Sequence, residues 1–167
     1  MKKTSYDFLT QFINEGKYKE CAEMAHNKWL IEKKNQGWTY GEKRDEAAKT
    51  NPILVSYDHL PPHMKSANNT TPYAVANFFR TKLGKEHALD DLEVLFEELL
   101  EIKHKELLAE LSEYIHSHFI ITLISQGEST QSRQDMVVFE DLDNDTKSWD
   151  THIALEVIRF LLDLIRK

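Results

Sequence analysis

The chain has 167 residues and a net charge of −7, with 41% hydrophobic and 29% charged residues. This is the composition of a folded domain and excludes a disordered chain. The negative charge repels phosphate backbones, so we expect no binding to nucleic acid. The single cysteine, Cys21, excludes an internal disulfide and zinc sites built from several cysteines, which favours a cytoplasmic protein. We expect no signal peptide and no membrane span, because no apolar run is long enough for either.

The first two elements are predicted to be helices. Thr4 or Ser5 can cap a first short helix, because a hydroxyl oxygen accepts a hydrogen bond from a free amide of the first turn. Gly16 ends that helix, since glycine adopts the left-handed conformation without strain. A second helix is predicted over about residues 17–35, where apolar side chains recur at spacings of three and four.

This periodicity is lost in the next part of the chain. Residues 37–41, Gly-Trp-Thr-Tyr-Gly, place aromatic residues between two glycines, which favours an irregular turn or a short strand. One or two helical turns are predicted for residues 42–50, and the apolar residues 53–57 predict an extended segment. A third helix is predicted to begin at residues 70–72, with a proline in its first turn, and to end at Gly84.

Helical signals return in the C-terminal half. In residues 90–102, acidic residues surround apolar ones as in an amphipathic helix. Residues 107–119 continue an apolar helical face. The sequence leaves open whether the two segments form one long helix or two. Residues 125–135 are predicted to be a loop and residues 136–139 a short strand or a docked loop. A last helix is predicted from about Trp149.

These elements predict a mainly α fold. The composition changes near residue 84, so we predict a small helical repeat-type domain with short extended segments over 1–84 and a helical C-terminal extension over 85–167. The apolar faces of the C-terminal helices fit either packing against the first domain or a homodimer interface.

Two tryptophans of the predicted first domain differ in their surroundings. Trp29 lies on an apolar helix face, which is typical of core packing. Nothing in the sequence forces the ring of Trp38 inward, and a partly exposed indole stacks flat groups such as nucleobases. Arg44 and Lys49 follow closely and can supply charge to a phosphate or carboxylate. The pattern fits either a ligand-binding corner or a packed turn.

A series of short motifs runs from residue 22 to residue 84. It consists of His26, Trp29, the segment 37–41, Arg44-Asp45, Lys49, Asn51-Pro52, Leu54-Val55, Tyr57, Leu60-Pro61 and Leu83-Gly84. In order and spacing this series resembles the ryanodine receptor repeat domain. That family occurs as paired modules in the cytoplasmic part of calcium-release channels and as short stand-alone proteins in prokaryotes, which this chain resembles in size. The resemblance implies a small helical unit without a catalytic role.

The resemblance also implies a ligand site. Modules of this family have been associated with small aromatic and adenine-nucleotide ligands in a cleft that uses the glycine-flanked tryptophan. Carried over to this chain, Trp38 would stack the flat group, and Arg44 and Lys49 would meet its negative charge. The remaining candidate residues are His26 and Tyr40, as hydrogen-bond donors, and Asn51, which stands where the family usually has histidine.

The other motifs favour structural roles. The acidic run at 141–145 resembles the start of a calcium-binding loop, but Thr146 and His152 stand where that motif needs glycine and glutamate. The eight histidines form no His-Glu-x-x-His pattern, and Cys21 lies on an apolar helix face, where a thiol is unreactive. We expect no metal site, no cofactor and no catalytic residue.

The leading functional hypothesis is a non-enzymatic regulatory module that binds a small nucleotide-like or other aromatic, anionic ligand at Trp38. The alternative is a structural or protein–protein interaction module without a small ligand. The first hypothesis predicts a partly exposed Trp38 ring near Arg44 or Lys49, and the second predicts a buried ring.

Overall fold

The computed structural model describes residues 3–127, 137, 139–142 and 144–167, without the side chains of residues 145, 146, 148 and 149. Within this part of the chain the fold is mainly α, as predicted, and extended backbone is limited to isolated bridges such as the one between Thr39 and Thr50. The helices are α1 (Ser5–Asn14), α2 (Lys17–Asn35), α3 (Pro62–Leu83), α4 (Leu89–Leu100), α5 (Lys105–Ser125) and α6 (Asn144–Ile165), with 3-10 turns at Tyr57–His59 and Phe139–Asp141.

The first two helices confirm the prediction from the sequence. The side chain of Thr4 accepts a hydrogen bond from the backbone N–H of Asp7 at 3.1 Å, which caps α1. Gly16 has φ +70° and separates α1 from α2. Both boundaries depend on local interactions, which explains why the sequence alone located them.

The predicted start of the third helix was wrong. The helix α3 begins at Pro62, which occupies its first turn, and Pro72 lies inside it. Proline suits the first turn because that N–H has no helical partner, whereas Pro72 costs one backbone hydrogen bond. Pro72 is buried, so tertiary packing keeps the helix continuous across it.

Two further predictions between α2 and α3 were wrong. Residues 42–50 form a tight turn and no helix, because the Asp45 carboxylate accepts hydrogen bonds from the backbone N–H groups of Ala47 and Ala48 at 3.0 and 3.1 Å. Such a side-chain bond offers the backbone an alternative to helix. Residues 53–57 form no strand and lead into the 3-10 turn at Tyr57–His59.

The question of one long helix or two is resolved in favour of two. Ile102 has φ +59° and ends α4. Its N–H donates to the carbonyl of Leu99 at 3.0 Å, and the N–H of Lys103 donates to the carbonyl of Glu98 at 3.0 Å. This is the Schellman pattern of a helix terminus, and α5 begins after it at Lys105.

The hydrophobic core joins the N-terminal and C-terminal halves. Phe79 of α3 and Phe96 of α4 are both fully buried, with ring centroids 5.0 Å apart. The same cluster takes in Leu9 of α1, Leu111 of α5 and Val157 of α6. The division of the chain near residue 84 stays a prediction, since side chains from both halves share this core.

One ion pair links α2 to α6. The ammonium group of Lys28 pairs with the carboxylate of Glu156, which also pairs with Arg159. Burial alone would raise the pKa of Glu156, but the hydrogen bond and charge of Lys28, together with Arg159, hold that pKa below its ordinary value. Glu156 is therefore an ionised, partnered group at the edge of the core.

Some predictions for the C-terminal half fall outside the described residues. These are most of the loop over 125–135, the strand or docked loop over 136–139 except residues 137 and 139, and, in the acidic run, residue 143 and the side chain of residue 145. The last helix begins earlier than predicted, at Asn144. Among the described residues, none of the helices combines the length and the apolar character that crossing a membrane requires.

Candidate functional site

The site begins where α2 ends. Gly37 has φ +88°, and its N–H donates to the carbonyl of Lys34 at 3.0 Å, while the N–H of Trp38 donates to the carbonyl of Lys33 at 3.0 Å. This is again the Schellman pattern, with glycine at the left-handed position. The motif fixes Trp38 as the second residue after the C-cap Gln36, five positions after Lys33.

The segment after Trp38 is held beside residues 49–51 by backbone bonds. The N–H of Thr39 donates to the carbonyl of Lys49 at 2.9 Å, and the N–H of Asn51 donates to the carbonyl of Thr39 at 3.1 Å. A Cβ atom at Gly41 would lie 2.6 Å from the Cβ of Thr50, so this close approach needs glycine. Glycine is thus required at position 37 for its positive φ and at position 41 because there is no space for a side chain.

The Trp38 ring is half-buried. The Nζ of Lys33 lies 5.3 Å from its centroid, within range of a cation–π contact. A Cβ atom at Gly37 would lie 3.8 Å from the Cδ and Nζ atoms of Lys49, so the Lys49 side chain runs alongside this residue. The structure therefore places one ammonium group over the indole and a second beside the glycine that precedes it.

Lys49 also completes the end of α2. Its Nζ donates to the carbonyl of Gln36 at 2.9 Å, where the negative end of the helix dipole favours a cation. Lys49 has φ +56°, a conformation that non-glycine residues rarely adopt. Tyr40, by contrast, extends outward and is 58% exposed.

Arg44 lies at the start of the 45–50 turn. Its Nη2 pairs with the carboxylate of Glu46 at 2.7 Å. Its Nε and Nη1 atoms are buried, and no acceptor for them is found among the described residues. Unpaired buried donors cost about 1–3 kcal/mol each, so these two groups retain unused hydrogen-bonding capacity.

Two of the candidate residues lie in the interior. The Nε2 of His26 donates to the carbonyl of Val55 at 2.7 Å, and its Nδ1 lies 3.2 Å from the side-chain amide nitrogen of Asn68. Burial lowers the pKa of His26, against the opposing effect of the Val55 carbonyl. The Asn51 side chain is buried and accepts a hydrogen bond from the N–H of Ile53 at 3.0 Å.

Of the six candidate residues, the structure brings Trp38 and Lys49 together at the end of α2. Arg44 sits in the adjoining turn and Tyr40 faces outward. Asn51 is buried within the segment, and His26 is buried against Val55 and Asn68, outside it. Their roles toward a ligand stay predictions. Sequence reasoning missed Lys33; the signal was its position five residues before Trp38, which a glycine-ended helix brings next to that ring.

Two surface cavities of the described residues lie away from Trp38. One, of about 380 Å³, is lined by side chains of α6 such as Lys147 and Thr151. The other, of about 560 Å³, lies at the turn between α4 and α5. Neither of these two is lined by residues 37–51. Within the described residues no group of three or more His, Cys, Asp or Glu side chains converges as a metal site.

These features define a mainly α domain whose second helix ends in a glycine-bounded aromatic turn. Residues 9–81 match the family model of the RyR domain. The match covers α2, most of α1 and nearly all of α3, and it confirms the resemblance seen in the motif series. It also extends upstream of that series, into the first helix.

Proposed function

We propose that the chain is a non-enzymatic binding module that takes a small ligand with a flat ring and an anionic group at Trp38. The observation that carries this proposal is a half-buried indole with the Lys33 ammonium group over its ring and the Lys49 side chain beside the preceding glycine. A flat group stacked on an aromatic ring contributes about 1–3 kcal/mol per base in nucleic-acid complexes. A nucleotide-like ligand combines such a ring with an anion.

Arg44 supports the anionic part of the proposal. A guanidinium group presents its N–H donors in a fixed fork that suits phosphate and carboxylate groups. Two of these donors are buried without an acceptor among the described residues. An anion from the ligand would satisfy them, which gives the site a reason to prefer charged ligands.

A structural or protein-interaction role is the second candidate, and one observation favours it. Lys49 caps the end of α2 through the carbonyl of Gln36, and Lys33 covers the Trp38 ring. Both lysines therefore make stabilising contacts in the protein without any ligand. In this role the aromatic turn only stabilises the helix terminus.

The wider setting of the module is also part of the proposal. We place it in the cytoplasm as a regulatory protein, in line with the stand-alone prokaryotic proteins that it resembles. Ile121 and Ile124 of α5 are 63% and 59% exposed, which is compatible with a homodimer through the C-terminal helices. A catalytic role for the thiol is disfavoured, because burial, with a further contribution from Glu156, raises the pKa of Cys21 far above its ordinary value.

The test is a thermal-shift screen of nucleotides and other flat anions, followed by titration of tryptophan fluorescence. A ligand at a hundred times its dissociation constant stabilises the folded state by about 2.7 kcal/mol. We expect Trp38→Ala to abolish this stabilisation while keeping the helical circular dichroism spectrum. Tyr73→Ala, on α3 and 39% exposed, is the aromatic control and should retain binding.

Two results would decide against ligand binding. One is the lack of any stabilising compound for the wild-type protein. The other is a Trp38→Ala variant that binds as well as wild type. A Trp38→Ala variant that unfolds favours the structural role.

A further inference from the structure

The Lys33 ammonium group occupies a face of the ring on which a ligand would stack. Its Nζ lies 5.3 Å from the Trp38 centroid, and the contact follows from the hydrogen-bonded end of α2, which brings position 33 next to position 38. In many helix termini of this kind, two apolar side chains meet at these positions. Here a cation and an indole meet instead.

Because of this contact, a ligand that stacks on that face competes with the Lys33 ammonium group for the ring. A flat ligand that takes the indole face must displace the ammonium group from the ring. An uncharged ligand forms no ion pair that could replace the lost cation–π contact. An anionic ligand forms such a pair, because the displaced ammonium group remains at position 33 and can interact with the ligand's charge.

We propose that Lys33 is the charge-selecting residue of the Trp38 site: its ammonium group lowers the affinity for flat uncharged ligands and raises the relative affinity for flat ligands that carry a phosphate or carboxylate. This inference rests on the proposed function and adds the residue that sets ligand class. It assigns the selection to a residue in the last turn of α2 that is not among the six that the sequence indicated.

The experiment compares adenosine with adenosine 5′-monophosphate, which share a ring and differ in charge. Their dissociation constants are measured on wild type, Lys33→Met and Lys33→Arg by titration of Trp38 fluorescence in a Trp29→Phe/Trp149→Phe background. The matched control is Lys34→Met, which removes the same charge from an exposed lysine in the same last turn of α2.

In Lys33→Met we expect adenosine to bind about two- to fivefold tighter, the range for an exposed cation–π contact that is no longer displaced. The preference for the monophosphate over adenosine should fall, by up to about fivefold. Lys33→Arg should keep the preference, and Lys34→Met should change neither affinity. A purely structural Lys33 would weaken both probes together.

A second measurement needs no ligand. Iodide is an anionic quencher and acrylamide a neutral one, so the ratio of their quenching constants reports the charge over the indole. We expect Lys33→Met to lower this ratio for Trp38 and Lys34→Met to leave it nearly unchanged.

The outcomes separate the two proposals. If both probes bind and the charge preference is the same in wild type and Lys33→Met, the role of Lys33 is refuted and the binding function stands. If neither probe nor any compound of the thermal-shift screen binds, the proposed function is refuted, and so is the charge selection by Lys33. An unchanged quenching ratio in Lys33→Met also refutes the placement of this charge over the ring.

Discussion

Single residues decide the shape of the aromatic turn. Gly41 is needed because residues 41 and 50 approach too closely for a side chain, whereas Gly37 is needed for its positive φ. His26, on α2, is buried and stacked on Trp29 with ring centroids 5.4 Å apart. The close packing at Gly41 and the burial of His26 each give a testable prediction.

Replacing Gly41 with alanine is expected to lower the free energy of unfolding by about 1–3 kcal/mol, the usual cost of overpacking. The physical reason is the distance of 2.6 Å between the new Cβ and the Cβ of Thr50. Urea denaturation measures the change. Glu42→Ala, at the exposed neighbouring position, is the control and should stay within about 0.5 kcal/mol of wild type. Equal stability of both variants would contradict the close approach.

The free energy of unfolding is expected to fall as the pH decreases below about 6.5, the unfolded-state pKa of histidine. Burial lowers the pKa of His26 in the folded state, so within this window the unfolded chain takes up the proton first. The loss continues until the pH reaches the folded-state pKa. Above about 6.5 the contribution is fully retained.

Urea denaturation across this range measures the effect of His26. Burial also lowers the pKa of His118, which gives the same sign, so His118→Gln is made as well. His26→Gln should reduce the slope of stability against pH by more than His118→Gln, since His26 is the more buried of the two. An unchanged slope in His26→Gln would argue against a neutral buried ring.

At the scale of elements, the turn between α4 and α5 depends on an unusual residue. Ile102 adopts φ +59° at the end of α4, although it is 50% exposed and gains little from burial there. A β-branched side chain in this conformation is strained, at about 1–2 kcal/mol for ordinary L-residues. Lys49 also has a positive φ, but its side chain donates a hydrogen bond to Gln36 that a substitution would remove. Ile102 is therefore the better position at which to relieve backbone strain by substitution.

Ile102→Gly is expected to raise the free energy of unfolding by about 1 kcal/mol, because glycine adopts this conformation freely and the lost side chain is largely exposed. Denaturant unfolding measures the gain. Ile102→Ala keeps a Cβ atom and should gain less. A less stable glycine variant would show that the Ile102 side chain contributes more through its contacts than it costs in strain.

The elements also show what a sequence can reveal. The bounds of α1 and α2 could be predicted because caps and apolar spacing act within a few residues. The end of α4 could not, because isoleucine is not a residue that signals a helix terminus. The start of α3 was misplaced because Pro72, which reads as a helix start, is tolerated inside the helix by packing that the sequence does not display.

The candidate site follows the same division. The aromatic turn and the nearby lysine could be predicted from the glycine-bounded motif. The buried positions of His26 and Asn51 depend on contacts with Val55, Asn68 and Ile53. Such contacts arise from tertiary structure, so residue type and spacing alone do not indicate whether a polar side chain faces a ligand or the protein interior.

At the scale of the whole molecule, the RyR-matching segment and the C-terminal helices form one core. Phe79 lies in the matched segment, and Phe96 lies beyond it. The pair of Lys28 with Glu156 adds a polar link between α2 and α6. The matched segment therefore depends on later helices for the burial of its apolar face.

A fragment of residues 1–84 is expected not to fold cooperatively, because it lacks the side chains of α4, α5 and α6 that cover Phe79 and its neighbours. Thermal melting followed by circular dichroism tests this against the full chain. Phe96→Ala in the full chain is the milder counterpart, with an expected loss of about 3–5 kcal/mol. A sharp melting transition in the fragment would establish residues 1–84 as a domain that folds independently.

The burial of Cys21 has a practical consequence. Its side chain is fully enclosed, and its surroundings disfavour the thiolate that alkylating reagents attack. A cysteine introduced on the surface, for example at Thr81 or Glu42, would therefore react with a maleimide dye while the native thiol stays unmodified. Site-specific labelling for single-molecule distance measurements thus needs no cysteine-free background in this protein.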